Sequence, residues 1–450
     1  MSVVKQQTTV FEFGYLGWCD KAKASEKIKV ISEGAFNYLK GLCLCDESES
    51  RFLQLKSIDS CEVLQVKNYA GVVFTPDGTQ IEVLPKIAKV NNGSESKVDA
   101  RASLLMMLKV LKRFRYLQTN SAQLAKNNMP LLEVFISQFL ATVNTLIKRG
   151  LRSDYVREQD NLAFLKGKLL VGKQLRHNAI NKHKFYVEYD EFLQDRPANR
   201  LIHSALRKVN GYSKSADNQK LGRELLFAFA DIPVSKNISN DFARLKLDRS
   251  MSHYESSLAW TRLILDGFSP LTLQGKTNAF SLLFPMESVF ERYVASILNK
   301  YLPTYLSLTT QASSKSLVVH NKAKHFRLKP DLLIQHALAP KKGINHCVLD
   351  TKWKLVKQDK SAYGLSQSDF YQMFAYGHKY LNGAGELFLI YPAHDDFKEP
   401  IEHSFDFDDE AKLKLWVVPF DISADASDER RLKLPMFAYL KQDKNERIDD

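Results

Sequence analysis

The sequence predicts a multidomain α/β protein: a β-rich N-terminal domain over residues 1–95, a mainly helical, basic middle region over 100–275, and a C-terminal mixed sheet flanked by helices over 281–450. Three observations lead there. At roughly 150 residues per domain, a chain of 450 residues has room for about three. After about residue 100 the hydrophobic period lengthens from that of strands to that of helices. From Ser281 onward the segments follow the order α-β-β-β-α-β-β, which suits one mixed sheet with helices on its faces.

In the first region, Gly71 to Lys86 reads as a hairpin, with Pro76-Asp77-Gly78 as the turn between two β-rich arms. The polar run Lys89 to Lys97 breaks the pattern and reads as a linker. In the second, apolar residues recur at Leu104, Leu105, Leu108 and Leu111, then at Leu132, Phe135, Ile136, Phe139 and Leu140, at helical spacing. Leu165 to Leu169 and Phe185 to Phe192 interrupt it as strands or loops, and Gly211 to Lys220 is polar enough for a surface loop. In the third, a helix opens at Pro285 and carries Phe290, Val294 and Ile297 on one face. Strands are expected at Leu317 to His320, Leu328 to Gln335 and Asn345 to Leu355. A second helix runs from about Ser366 to Leu381, ended by Asn382-Gly383, and strands at Leu387 to Tyr391 and Leu415 to Phe420 complete the sheet.

Composition narrows the function classes. With 44% hydrophobic and 26% charged residues, 19 glycines and 14 prolines, the chain is neither disordered nor fibrous. No apolar run approaches the roughly 20 residues of a membrane span, and Met1 to Phe13 lacks the apolar stretch of a signal peptide. A soluble cytoplasmic protein with no membrane partner is expected. Five cysteines without Cys-x-x-Cys spacing argue against a zinc site and read as free thiols in a reducing compartment. The net charge of +13 favours a polyanionic partner. From Arg101 to Lys184 there are 16 Lys and Arg against 4 acids, so this stretch carries +12 of it. An ordinary solvated helical surface would show the same bias.

The chemistry-bearing residues cluster in the third region. Asp350-Thr351-Lys352 lies in one strand and Lys329-Pro330-Asp331 opens the one before it. Alternation places Asp350 and Lys352 on one face with Thr351 on the other. A hairpin turning near Pro340 to Gly343 brings Asp331 beside Asp350. Two carboxylates and an ammonium suit phosphodiester hydrolysis: carboxylates are hard ligands for Mg²⁺, the ion activates a water, and the lysine stabilises charge building on phosphorus. The spacing alone is common, but here the charges interrupt an apolar strand, Val348-Leu349 before and Trp353 after, where unpaired charge is costly. Gln372 and Tyr376, four apart, share a face of the second helix. Glu291, beside Phe290 on the first helix, is placed to supply a third carboxylate. Taken singly, each has an ordinary reading as a surface polar residue, a core aromatic or a solvated helix charge.

Together, Glu291, Pro330-Asp331, Asp350-Thr351-Lys352 and Gln372-x-x-x-Tyr376 resemble the PD-(D/E)xK nuclease superfamily. More narrowly, the chain resembles the McrC family, the nuclease subunit of McrBC-type modification-dependent restriction systems. That second resemblance adds Ile81-Glu-Val-Leu-Pro-Lys-Ile87, Gly150-Leu151, Leu165-Lys-Gly-Lys-Leu169, Tyr189-Asp-Glu-Phe192, Pro197-Ala-Asn-Arg200, Met286 and Asp369-Phe-Tyr-Gln-Met373. It spans about residue 60 to the C-terminus. It implies a restriction-endonuclease-like C-terminal fold and a Mg²⁺-dependent endodeoxyribonuclease, with Mn²⁺ as an alternative ion. Asp331, Asp350 and Glu291 would serve the metal, Lys352 the attacking water, and Gln372 and Tyr376 the positioning of phosphate or site. It also implies a McrB-like AAA+ GTPase ring as partner and modified double-stranded DNA as substrate, in antiviral defence.

Two other readings fit the residues: a repair or recombination nuclease of the same superfamily, and a non-catalytic DNA-binding activator of an AAA+ NTPase. Gly275-Lys276-Thr277 mimics the end of a phosphate-binding loop, but Pro270 stands where that loop needs glycine, so the motor belongs to another subunit.

Overall fold

A computed structural model describes residues 6–18, 27–45, 52–58, 60–86, 94–111, 129–245, 249–266, 281–336, 345–357, 359–407, 410, 412–423, 426–428 and 431–432. The chain divides into two compact units. Residues 130–268 form one, and residues 5–129 with 269–450 form the other.

The larger unit begins with β1 (Gln6–Phe11), β2 (Tyr15–Gly17), β3 (Ile28–Val30), α1 (Glu33–Cys45), β4 (Leu53–Ile58), β5 (Cys61–Val66), β6 (Tyr69–Phe74) and β7 (Thr79–Leu84). One sheet has the order β3-β2-β5-β4. β6 and β7 pair antiparallel, as the hairpin reading expects, across a turn in which Asp77 Oδ1 accepts from Thr75 Oγ1 at 2.6 Å and Thr79 N at 3.2 Å. Helix α2 (Ser94–Leu108) starts inside the expected linker; residues 89–93 of that linker lie outside the described residues. Its Arg101 holds the buried Glu82 through Nη2 at 2.7 Å. Cys43 and Cys347 are free and buried, whereas Cys61 is disulfide-bonded, so the expectation of five free thiols does not hold. With Cys43 and Cys347 free, three of the five cysteines remain, enough for one bridge.

The smaller unit is mainly helical, with a β-ribbon inserted: α3 (Leu131–Arg149), β8 (Asp154–Leu162), β9 (Lys168–Leu169), α4 (Val171–His177), β10 (Phe185–Leu193), α5 (Pro197–Asn210), α6 (Ala216–Ala228), α7 (Ile238–Arg244) and α8 (Glu255–Asp266). The segment at 185–192 lies in strand β10, whereas of 165–169 only Lys168–Leu169 is strand and the rest is loop; β10 pairs with both β9 and β8, the last of which the sequence pattern hid because it is dominated by polar residues. α3 is long and apolar enough to cross a membrane, but Leu132, Phe135, Ile136, Phe139 and Leu140 are buried. They form the inward stripe of a core helix. The segment 211–220 is not a free loop. Glu133, itself buried, accepts hydrogen bonds from Ser213 Oγ (2.8 Å), Ser215 N (3.2 Å) and Asn218 Nδ2 (2.8 Å), and Ser215 caps α6. Ser213, Ser215 and Asn218 satisfy a buried carboxylate and a helix end, residues 216–220 being the start of α6, while Gly211, Lys214, Asp217 and Lys220 are exposed as a surface segment requires.

The chain then returns to the larger unit through β11 (Ser281–Pro285) and α9 (Met286–Tyr301). β11 pairs with β6, completing a second N-terminal sheet of order β1-β7-β6-β11. Gly71 permits this: its φ is +139°, and a Cβ there would lie 1.9 Å from the Leu282 carbonyl oxygen. Thus Ser281–Pro285 belongs to the sheet built on the 69–84 hairpin.

The remaining strands are β12 (Leu306–Thr310), β13 (Ser316–His320), β14 (Ala323–Arg327), β15 (Leu332–His336), β16 (Asn345–Thr351), β17 (Gly385–Pro392), β18 (Phe405–Asp406) and β19 (Leu413–Phe420), with α10 (Gln367–Tyr380) before β17. Six of them make a mixed sheet of order β12-β15-β16-β17-β19-β18. β15 and β16 run antiparallel, while β16, β17 and β19 are parallel. α10 packs through Met373, Tyr376 and Tyr380 on Val348, Leu387, Leu389, Leu413 and Leu415, alternate residues of one sheet face. Gly377 lets it lie close, since a Cβ would meet Leu413 Cδ2 at 2.5 Å. On α9, Phe290 meets Phe420 and Trp353 at ring separations of 5.8 and 5.3 Å. The mixed sheet with flanking helices is the architecture the sequence predicts; β12 and β18, too short or too polar to stand out, are additions to it, whereas the strand expected at Leu317 to His320 is not part of it and pairs instead with β14 in a separate two-stranded sheet. The turn at 340–343 and Gly275-Lys276-Thr277 lie outside the described residues, as does part of the basic stretch.

Candidate active site

The register of β15 against β16 decides which charges meet. Leu332 pairs with Leu349, so Asp331, one residue before the strand, faces the level of Asp350. Asp350 and Lys352 project toward α10, the same side as Val348. Lys352 Nζ lies 2.6 Å from Asp350 Oδ2 and donates to Gln372 Oε1 at 2.9 Å. Gln372 Nε2 in turn donates to Tyr376 Oη (2.7 Å), and that hydroxyl donates to the Lys329 carbonyl (3.0 Å). This chain of contacts ties helix α10 to both strand ends that carry the carboxylates. Asp331 is fixed by Thr351, whose N and Oγ1 donate to its Oδ2 at 2.8 and 2.7 Å. Gln311, just after β12, donates from Nε2 to Glu291 Oε1 (2.6 Å) and more distantly to Asp331 Oδ1 (3.4 Å).

Electrostatics follow from burial and crowding. Asp350 is 1% exposed, and its carboxyl is pushed up to about 6 by burial first and by Asp331 second, with Lys352 opposing. Burial disfavours the Lys352 ammonium, but Asp350, Asp369 and Asp331 outweigh it and hold the lysine above its usual range, so it is a fixed cation. Burial and the neighbouring Asp331 raise Glu291 against its hydrogen bond from Gln311. Burial lifts the Tyr376 hydroxyl to about 12, which keeps it a proton donor.

The donor chemistry fits a hard divalent cation. Among the described residues no three His, Cys, Asp or Glu side chains converge as a metal cage. Mg²⁺ does not need one, because it keeps several waters and is usually held by one or two carboxylates. Asp350 Oδ2 is buried without an aligned hydrogen bond, its lysine contact being a close ion pair, and Asp331 stands at the same level. That pair is the natural donor set. Glu291 is tied to the site through Gln311.

One family model, described as the McrBC 5-methylcytosine restriction system component, matches residues 64–392, well over half of the chain. The chain belongs to the McrBC family. No curated protein matches it. Among solved structures it is similar to a half-complex from a tetradecameric assembly of Thermococcus gammatolerans McrB AAA+ hexamers with bound McrC: TM-score 0.68 and 19% identity, covering 94% of this chain and 98% of that one. A second structure, the McrBC complex of Thermococcus gammatolerans, matches with TM-score 0.48 and 21% identity over 67% of this chain and 89% of that one.

In this McrBC-family chain the structure brings Asp331, Asp350, Lys352, Gln372 and Tyr376 into one connected cluster and links Glu291 to it. Sequence reasoning missed five participants. Gln311 follows a strand too short to detect. Thr351, read as pointing away, turns its hydroxyl to Asp331. Asp369, buried in the first turn of α10, takes Lys354 at 3.2 Å and lies 3.7 Å from Lys352. Glu12 accepts from the Trp353 indole at 3.0 Å while Lys86 donates to the Trp353 carbonyl at 3.0 Å, bracing the residue next to Lys352. Asp369 and Lys86 both stand inside quoted motifs, which was the available signal; for Glu12 there was none.

Proposed function

We propose that this chain is the nuclease subunit of a modification-dependent restriction system, a Mg²⁺-dependent endonuclease that cuts modified double-stranded DNA together with a McrB-like AAA+ GTPase ring that it stimulates. The observation that carries the reading is the convergence of Asp331, Asp350 and Lys352 at one end of the paired strands β15 and β16, with Gln372 of α10 against them. The family description and the likeness in fold to McrC bound to McrB hexamers support the substrate and the partner.

Asp331 and Asp350 would hold the metal, Mg²⁺ or Mn²⁺, and Glu291 would support it or its water. When bound, the ion supplies an acidified water and stabilises charge on the phosphoryl oxygens. Lys352, kept protonated, sits beside Asp350 where it donates to the attacking water and offsets negative charge in the transition state. Gln372 holds the ammonium in place, and Tyr376 fixes Gln372 against the Lys329 backbone. The test is cleavage of methylated plasmid by the protein with its partner, GTP and Mg²⁺, against an EDTA control and unmethylated plasmid. Cutting that needs the metal and the methylation is expected; cutting that persists in EDTA contradicts the site.

A further inference from the structure

Beside the catalytic cluster, β13 and β14 leave the main sheet as a separate two-stranded ribbon. Its turn, Asn321-Lys322, has both residues left-handed, at φ 46° and 63°, the two-residue form that suits ribbon twist. Nearly every residue from Leu317 to Arg327 is exposed on both faces, including Val319 (66%) and Phe326 (75%). An isolated two-stranded ribbon is marginal in water, so the protein anchors its base instead. Leu328 N donates to the Lys315 carbonyl at 3.0 Å, and Tyr380 Oη lies 3.1 Å from both the Ala312 and Leu328 carbonyls. Tyr380 stands one turn beyond Tyr376 on α10, so the helix that orders Gln372 also fixes this ribbon.

The charge is one-sided. Between Ala312 and Pro330 there are five Lys or Arg, namely Lys315, Lys322, Lys324, Arg327 and Lys329, and no acid. No ion-pair partner is found for these five cations among the described residues. A second copy of the same ribbon would meet it with like charge, whereas phosphate would meet it with opposite charge. A two-stranded ribbon also has the cross-section that the major groove of B-DNA admits.

We propose that the β13–β14 ribbon is a duplex-DNA-binding element that seats in a groove next to the candidate catalytic cluster, its cations on phosphates and its exposed apolar residues against base edges. The proposal rests on the nuclease reading for the location of the substrate, but its test does not use cleavage. The full chain is titrated against a short fluorescent duplex in EDTA at several salt concentrations, as wild type and as Lys322→Gln/Lys324→Gln/Arg327→Gln. Each lost phosphate contact removes about 0.9 from the slope of log affinity against log salt. The triple variant should lower that slope by about 2 to 3 and weaken binding about tenfold or more at about 0.1 M salt. A control, Lys398→Gln/Lys412→Gln, removes exposed charge elsewhere and should leave both unchanged. Should the triple variant not fold, Lys322→Gln alone at the exposed turn should lower the slope by about 1. Unchanged affinity and slope overturn the proposal, as does an equal loss in the control. Loss of self-association by sedimentation, with DNA binding intact, also overturns it and assigns the ribbon to a second copy. Absent cleavage by the wild type with its partner would strike the nuclease reading and leave this result standing.

Discussion

Glu12→Gln isolates the buried brace behind the strand that carries Asp350. Glu12 is 1% exposed, accepts from the Trp353 indole and from Lys86 N at 3.0 Å, and burial pushes its carboxyl from an ordinary 4.5 to about 7, with Lys86 opposing. A group bound more tightly to its proton in the folded state makes folding less favourable as pH rises between the two values. The sign is therefore fixed: the Glu12 contribution is greatest below about pH 4.5, falls through the interval, and is level above about 7. At about 1.4 kcal/mol per pH unit, the interval corresponds to about 3 kcal/mol. Glutamine stays neutral, so the stability difference, wild type minus variant, should fall by about 3 kcal/mol between pH 4.5 and 7 and then flatten. Denaturant unfolding followed by tryptophan fluorescence across pH 4.5 to 8 reads it. A difference that is flat with pH, or that rises, refutes the burial argument.

Three further outcomes are expected. Lys352→Ala should keep the fold and lower cleavage on the order of 10³-fold, because it deletes the fixed cation without deleting a metal ligand; calorimetry should show Mg²⁺ binding retained. Tyr376→Phe removes the hydroxyl between Gln372 and Lys329 and should cost about 1 kcal/mol in unfolding experiments, with kcat falling more than KM rises. Gly377→Ala forces a Cβ into Leu413 and should cost about 1–3 kcal/mol by shifting α10, lowering Tm and activity together.

Much of the convergence of these residues was legible because strand alternation and hairpin register are local rules. Asp350 and Lys352 share a face by period 2, and Asp331 meets them once Leu332 pairs with Leu349. Gln372 and Tyr376 followed from helical spacing in the same way. What remained hidden depends on contacts between distant segments, where no short-range pattern exists. Glu12 reaches Trp353 across 341 residues, and Gln311 reaches Glu291 from just after a strand whose own pattern is weak. The boundary near 281 shows the same effect: β11 pairs with β6 from far along the chain. A fragment ending at residue 275 would remove the edge strand of that sheet, so separating docking from cleavage calls for point substitutions in the full chain.

The central claim is that Asp331, Asp350 and Lys352 form the hydrolytic centre. Asp350→Ala, purified beside wild type and combined with the partner, GTP, Mg²⁺ and methylated DNA, tests it most directly, with partner GTPase rate measured in the same reactions. Loss of cleavage on the order of 10³-fold or more, with undiminished GTPase stimulation and an unchanged melting profile, is the predicted result. Cleavage at the wild-type rate by the folded variant would contradict the account.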